Sequence, residues 1–257
     1  MDYIIIAVAV CIAAALTFFS GFGLGTITLP IFSLFFDLPV AIGATAIVHL
    51  ANNVFKFSLV YKHIHRPTLL KFGIPALLFA VLGGWVLGNL DSFSTLTSYA
   101  IGSSVFEITP LKLTIGILMI FFAWFDLSPK FSEINIDTKY LPVGGALSGF
   151  FGGVSGHQGA FRAAFLSKAG LDKKQFIGTS NAIALIIDVS RLFVYAQTIN
   201  FVALQSESSL LVVGILFAFV GTYFGKQLVE KTTMKRVQQV VGVLLFAMGM
   251  LFIMGII

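Results

Sequence analysis

The sequence predicts an all-α polytopic membrane protein made of two inverted repeats, each a glycine-broken helical hairpin plus three transmembrane helices. Three observations carry that expectation. Of the 257 residues 58 % are hydrophobic and 11 % charged, with a mean hydropathy of +0.98, and a soluble domain cannot cover such a surface with polar groups. A glycine-rich interruption, Ser20-Gly21-Phe22-Gly23-Leu24-Gly25, returns as Ser155-Gly156-His157-Gln158-Gly159-Ala160, both times inside stretches apolar enough for lipid. The chain also matches itself weakly at an offset of 135 residues, which pairs Ser20 with Ser155, Gly21 with Gly156, Asp37 with Asp172, Gly43 with Gly178, Thr45 with Ser180, Asn53 with Asp188 and Lys56 with Arg191. Glycines and intramembrane polar residues falling in one register mark two repeats, 3–126 and 138–257, within a single transmembrane domain, 1–257.

Apolar spans run over 3–19, 24–36, 39–60, 70–90 and 109–126, then over 140–152, 157–168, 175–198, 208–228 and 237–256. The first opens on Met-Asp-Tyr-Ile without the basic segment of a cleaved signal and is read as retained. The spans 24–36, 140–152 and 157–168 are too short to cross about 30 Å of hydrocarbon comfortably, so they are read as hairpin arms. Gly83, Gly84 and Gly88, like Gly214, Gly221 and Gly225, are read as points of close helix packing. Residues 91–108 are expected to form an extended outer connection.

Of the 16 Lys and Arg, 12 fall in four loops: Lys62, Arg66 and Lys71; Lys130 and Lys139; Lys168, Lys173 and Lys174; Lys226, Lys231, Lys235 and Arg236. If each glycine break reverses the chain, all four loops reach the cytoplasmic side, as the positive-inside rule requires, and both termini lie outside. Eight straight helices with a weak charge bias are the competing arrangement.

Glycines deep in lipid free backbone N–H and C=O groups, so such breaks persist where protein, water or a ligand meets them. Candidate substrate-binding residues therefore gather at the breaks: Gly25 and Thr26 at the first, and Ser155, Gly156, His157, Gln158, Gly159 and Arg162 at the second. Helix starts after Gly25 and Gly159 aim N–H groups and partial positive charge into the bundle. Arg162 offers a bidentate grip on an oxyanion, and a solvated His157 would titrate between about pH 5 and 8. The plainer readings are that the glycines serve packing alone and that His157 is a hydrogen-bonded structural residue.

Candidate lining or gating residues form two polar faces. His49, Asn52, Asn53 and Lys56 share one side of the span 39–60, and Asn181, Asp188 and Arg191 share one side of 175–198. Such a face in lipid looks into the bundle or a water-filled path. Two local explanations compete: Lys56 lies near enough to a helix end to snorkel, and Asp188 and Arg191, three residues apart, can neutralise each other.

Other chemistries find little support. Gly153-Val154-Ser155-Gly156 fits the short GxSG pattern of rhomboid-type intramembrane serine proteases, which need an activating histidine on a later helix. The only later histidine is the near neighbour His157, since His49, His63 and His65 lie upstream. Without HExxH or GxxxxGK[ST], no enzyme, metal or other cofactor is expected; His63 and His65 are read as solvated. The single Cys11 excludes an internal disulfide. The net charge of +5 sits largely in short loops, where it sets orientation rather than binding nucleic acid.

The run Gly149-Phe-Phe-Gly-Gly-Val-Ser-Gly-His-Gln-Gly-Ala-Phe-Arg162, with Leu171 to Asn181 and Asp188-Val-Ser-Arg191-Leu-Phe-Val-Tyr195, resembles the TauE/SafE family of sulfite exporters. Gly21 to Pro30 is similar to that family's first glycine motif, and the resemblance covers nearly the whole chain. It implies passage of sulfite, sulfonates or related sulfur-containing anions across the cytoplasmic membrane by secondary transport. The chain departs from the pattern at His157-Gln158, where many members carry a third adjacent glycine, and in its long connection at 91–108.

The combined expectation is a proton-linked secondary transporter of small sulfur-containing oxyanions, sulfite or organosulfonate, with alternating access around a midplane anion site. Its partners are the anionic substrate and the lipid bilayer; oligomeric state is open, a homodimer being one arrangement. An anion channel and a non-transporting membrane sensor are the rival readings. A cation transporter built on Asp188 is weaker, because one carboxylate alone lies clearly inside a span.

Overall fold

The computed structural model describes residues 2–17, 24–128, 136–198, 208–228 and 234–257. Ser20 to Gly23, Lys130, Lys231 and the connection 199–207 lie outside the described residues. The described helices are α1 (Asp2–Thr17), α2 (Leu24–Phe32), α3 (Leu38–Val60), α4 (Arg66–Asp91), α5 (Pro110–Leu127), α6 (Leu141–Ser155), α7 (Gly159–Leu166), α8 (Lys173–Thr198), α9 (Ser208–Leu228) and α10 (Met234–Ile253). Four of them (α3, α4, α8 and α9) are long and apolar enough to cross a membrane, and α1, α5 and α10 contain shorter apolar segments. The protein is thus an all-α multi-pass membrane protein. Pro39, Pro67, Pro110 and Pro142 stand in the first turns of α3, α4, α5 and α6, where a missing N–H costs no intrahelical bond.

The connection at 91–108 is more ordered than expected. Thr97–Ile101 (β1) and Ser104–Ile108 (β2) form an antiparallel hairpin, with Thr97 opposite Ile108 and Ile101 opposite Ser104. Gly102 takes φ +63° at the turn, the left-handed conformation a two-residue hairpin loop demands. The hairpin is tied to the end of α10, since the Tyr99 hydroxyl donates to the Met254 carbonyl. The signal for it was the alternation in Ser-Tyr-Ala-Ile-Gly-Ser-Ser-Val-Phe-Glu-Ile.

Helices α3 and α8 pack on each other at the centre. Around them α4 packs on α6 and α8, α9 on α1 and α3, α5 on α10, and the short α2 and α7 touch α10 and α5 respectively. Ile74, Leu78 and Trp85 of α4 and Val212, Leu216 and Tyr223 of α9 stay exposed, which suits surfaces solvated by lipid.

Glycine sets the closest crossings. A Cβ on Gly145, Gly149 or Gly153 of α6 would overlap the carbonyl oxygens of Phe72, Ala76 and Ala80 on α4. Gly221 and Gly225 stand likewise against the backbone at Cys11 and Ala15 of α1, and Gly83 against Phe150, while Gly84, Gly88 and Gly214 face side chains. The expected packing role of these glycines holds, and the spacing of four in Gly145, Gly149 and Gly153 is an additional sequence signal for the α4–α6 contact.

Candidate functional site

The second glycine break reverses the chain. α6 ends at Gly156, whose φ of +79° lets its N–H bond the Gly152 carbonyl at 3.0 Å, an ending that favours glycine. The chain then runs back along α6: the Ser148 hydroxyl donates to the Gln158 carbonyl at 2.8 Å, Phe151 stacks on Phe161, and Gly144 lies under the Phe165 ring. Gly152 leaves the room for Gln158, since a Cβ there would come within 2.9 Å of the Gln158 Cβ. The first break meets the second across the bundle: a Cβ on Gly25 would lie 3.6 Å from the Gly156 carbonyl and 3.8 Å from the His49 ring.

Below the breaks the two polar faces close on one carboxylate. Asp188 of α8 accepts from His49 Nδ1 (2.9 and 2.7 Å to its two oxygens) and Asn53 Nδ2 (2.7 Å) of α3. It also accepts from Gln158 Nε2 (3.0 Å) and pairs with Arg191 Nη2 (2.9 Å). The expected Asp188–Arg191 pair is present, but it is one part of a network joining α3, α8 and the second break. Asn181 Nδ2 donates to Asn53 Oδ1 at 3.2 Å, extending the network along α8. Asp188 and Arg191 are both fully buried.

Several residues do something other than expected. Arg162 was read as a two-pronged clamp on an oxyanion, yet its Nε donates to the Ser180 hydroxyl (2.8 Å) and its Nη1 to Gln158 Oε1 (2.7 Å). It therefore holds the amide that in turn holds Asp188. The guanidinium under the break belongs to Arg191, whose Nη1 lies 2.7 Å from where a Gly156 Cβ would stand. His157 is not solvated: it is buried, its Nδ1 is 2.9 Å from the Ser155 hydroxyl, and its ring stacks on Phe122 at 5.2 Å. The Ser155 hydroxyl donates to the Phe151 carbonyl, an ordinary intrahelical bond. Lys56 does not reach out to an interface but is buried with the rest of its face. Asn52 turns away from Asp188 and accepts from Thr222 of α9 at 2.6 Å. His65 is half-buried, with its ring on the Thr68 hydroxyl and its N–H on Thr179, rather than solvated.

Thr26, Gly25 and Gly159 are buried beside these groups. Tyr195, one turn beyond Arg191, was not singled out from sequence; its hydroxyl donates to the Gly153 carbonyl and so pins α8 to the last turn of α6. A tyrosine in an apolar helix four residues after an arginine was the available clue. Among the described residues, five buried polar atoms lack a hydrogen-bond partner: Thr45 Oγ1, Asn52 Nδ2, His157 Nε2, Asn181 Oδ1 and Arg191 Nε. Buried groups of this kind are normally met by water or a ligand. No cluster of His, Cys, Asp and Glu suited to a metal occurs among the described residues.

The buried charged side chains among the described residues are Lys56, Arg162, Arg191 and Asp188. Three cations against one carboxylate give a formal +2 with the histidines neutral, at the heart of a lipid-embedded bundle. Fold and site together define a multi-pass membrane protein with an electropositive, glycine-lined centre. The family model described as Sulfite exporter TauE/SafE matches residues 5–252, and the chain belongs to that family, which is one of transporters. Membership implies a membrane exporter of sulfite or related sulfur anions. Comparison with curated proteins and with solved structures returned no match.

Proposed function

We propose that this protein is a proton-linked secondary transporter of small sulfur-containing oxyanions, sulfite or an organosulfonate, working by alternating access around the two glycine breaks. The observation that carries the reading is the buried convergence of the His49, Asn53, Gln158 and Arg191 donors beside the two glycine breaks, since charge-assisted donors gathered in this way suit a small oxyanion. Arg191, Gln158, His49 and Asn53 are the donors offered to the oxyanion, with backbone N–H groups at the start of α7 beside them. Arg162 orients Gln158, and the partnerless His157 Nε2 and Thr45 Oγ1 flank the site.

An inverted pair of repeats, 3–126 and 138–257, is supported by the contact pattern. Exchanging the halves turns the pair α1–α9 into α6–α4, α3–α9 into α8–α4 and α2–α10 into α7–α5, while α3–α8 and α5–α10 map onto themselves. Asn53 and Asp188, equivalent in the two repeats, touch each other at the centre. The orientation follows from the basic loops, with the cytoplasmic membrane as the location and both termini outside. In a Cys11→Ala background, a cysteine replacing Ser98 is expected to react with an impermeant thiol reagent from outside, and one replacing Lys174 only from inside. Both reacting from one side overturns the orientation.

Transport is tested with labelled sulfite in proteoliposomes. Wild type is expected to show saturable flux and accumulation against a gradient when a proton gradient is imposed. Flux that neither saturates nor accumulates would point to a channel, and ligand binding without flux to a sensor. Arg162→Ala frees the Gln158 amide and is expected to lower flux about tenfold or more, the scale of one lost charge-assisted hydrogen bond. Undiminished flux in that variant removes Arg162 from the site.

A further inference from the structure

Four donors from three parts of the chain converge on the two oxygens of Asp188: the His49 imidazole, the Asn53 and Gln158 amides and the Arg191 guanidinium. Such a set suits any small oxyanion as well as a carboxylate. Asp188 is also the sole buried acid among the described residues. Hence the donors best placed to receive an anionic substrate are already filled by an anion of the protein itself. A second anion entering beside an ionised Asp188 would meet like-charge repulsion in a medium that screens poorly, and would find its donors taken.

We propose that Asp188 is an internal stand-in for the substrate, and that a proton taken up by the His49–Asp188 pair releases its donors to the incoming oxyanion. This rests on the reading of the site as an oxyanion site and names the group that couples it to protons. The proton comes from water on the side where the anion enters, is held by the pair, and returns to water on the other side when the anion leaves. One O–H or N–H bond forms and later breaks, and the charge of the pair goes from −1 to 0 and back. Anion and proton cross in the same direction, so a monoanion crosses without net charge.

The groups facing the pair leave it as the switching element. Arg191 comes from α8 and Asn53 from α3, with Lys56 about one turn further along α3; Gln158 precedes α7, with Arg162 behind it. The Tyr195 hydroxyl is directed to the Gly153 carbonyl, and His157, on the far side of Arg191, is held by Ser155 and Phe122. The paired halves also explain why the pair sits here: His49 and Asp188 are on the two helices that cross at the centre, where a proton can be offered to either face.

The test is binding of methanesulfonate, whose own charge is constant from about pH 5 to pH 8, to the purified full-length protein by calorimetry. Wild-type affinity is expected to fall by up to about tenfold per pH unit as pH rises, because each anion brings one proton with it. Asp188→Asn replaces one accepting oxygen with an NH2 group, as protonation replaces one with an O–H, and is expected to bind with affinity independent of pH. A wild-type slope retained in Asp188→Asn overturns the proposal, as does a flat wild-type profile with binding intact. Should Asp188→Asn not fold, proton uptake by wild type on adding methanesulfonate in weak buffer decides: uptake of up to one proton per anion supports the proposal, and none overturns it. If wild type binds neither methanesulfonate nor sulfite at any pH, it is the oxyanion reading itself that falls, and the proposal with it.

Discussion

Replacing Asp188 with Ala is expected to be among the most damaging single changes in this protein, and removing Arg191 as well is expected to restore part of the loss. Asp188 is the carboxylate against which three buried cations are balanced among the described residues. Its removal takes the formal charge of the cluster from +2 to +3 and leaves the donors of His49, Asn53, Gln158 and Arg191 without their common acceptor. Breaking one side of a buried pair typically costs about 3–5 kcal/mol, most of it the desolvation of the partner left behind. Asp188→Ala should therefore yield little folded protein in detergent and a much lower melting temperature. In Asp188→Ala/Arg191→Ala the cluster returns to +2 and no guanidinium is stranded, so melting should recover in part although the site is gone. A loss in the double variant equal to the sum of the losses in Asp188→Ala and Arg191→Ala alone would show that the two residues are not energetically coupled.

The second large effect is expected at Gly149. A Cβ there overlaps the Ala76 carbonyl oxygen and lies 2.8 Å from the Ala76 Cα, so even alanine forces α6 away from α4. Backbone cannot give way as a side chain can. With α6 go Ser148, which holds the returning chain at Gln158, and Gly153, which receives Tyr195. Gly149→Ala should thus lower both melting temperature and flux, and Gly149→Leu should prevent folding. Gly73→Ala is the control, because its Cβ would meet only the ends of side chains, Ile186 Cδ1 at 3.3 Å and Leu69 Cδ1 at 3.5 Å. If both glycines tolerate alanine equally, close backbone approach is not what holds α4 to α6.

Family membership rests on a match over residues 5–252, and the motifs that carry the resemblance from Gly149 to Tyr195 lie where the site is densest. The sequence was most informative about properties that are local. Apolar length marked the spans, glycine marked the breaks, and spacings of three, four and seven marked the polar faces of α3 and α8. It could not foresee the partners of Arg162, for the related reason that nearness along the chain is not nearness in space. Arg162 stands four residues after Gln158 and turns to Ser180 and to that glutamine, whereas Arg191, a whole helix away, lies under Gly156. The sequence left His157 either solvated or a hydrogen-bonded structural residue; the Phe122 ring that stacks on it comes from α5, which no local pattern connects to the break.

By itself, then, the sequence determined that this chain lives in a bilayer, where its backbone is interrupted and which helix faces are polar, because lipid penalises each unpaired N–H and each charge residue by residue. Only the tertiary structure decided which polar face meets which. The crossing of α3 on α8 brings His49 and Asn53 to Asp188, and the left-handed turn at Gly156 opens a place for Arg191. Those meetings depend on the close approach of α6 to α4 and of α9 to α1, contacts between segments far apart in sequence whose geometry is set by packing rather than by the composition of any one of them.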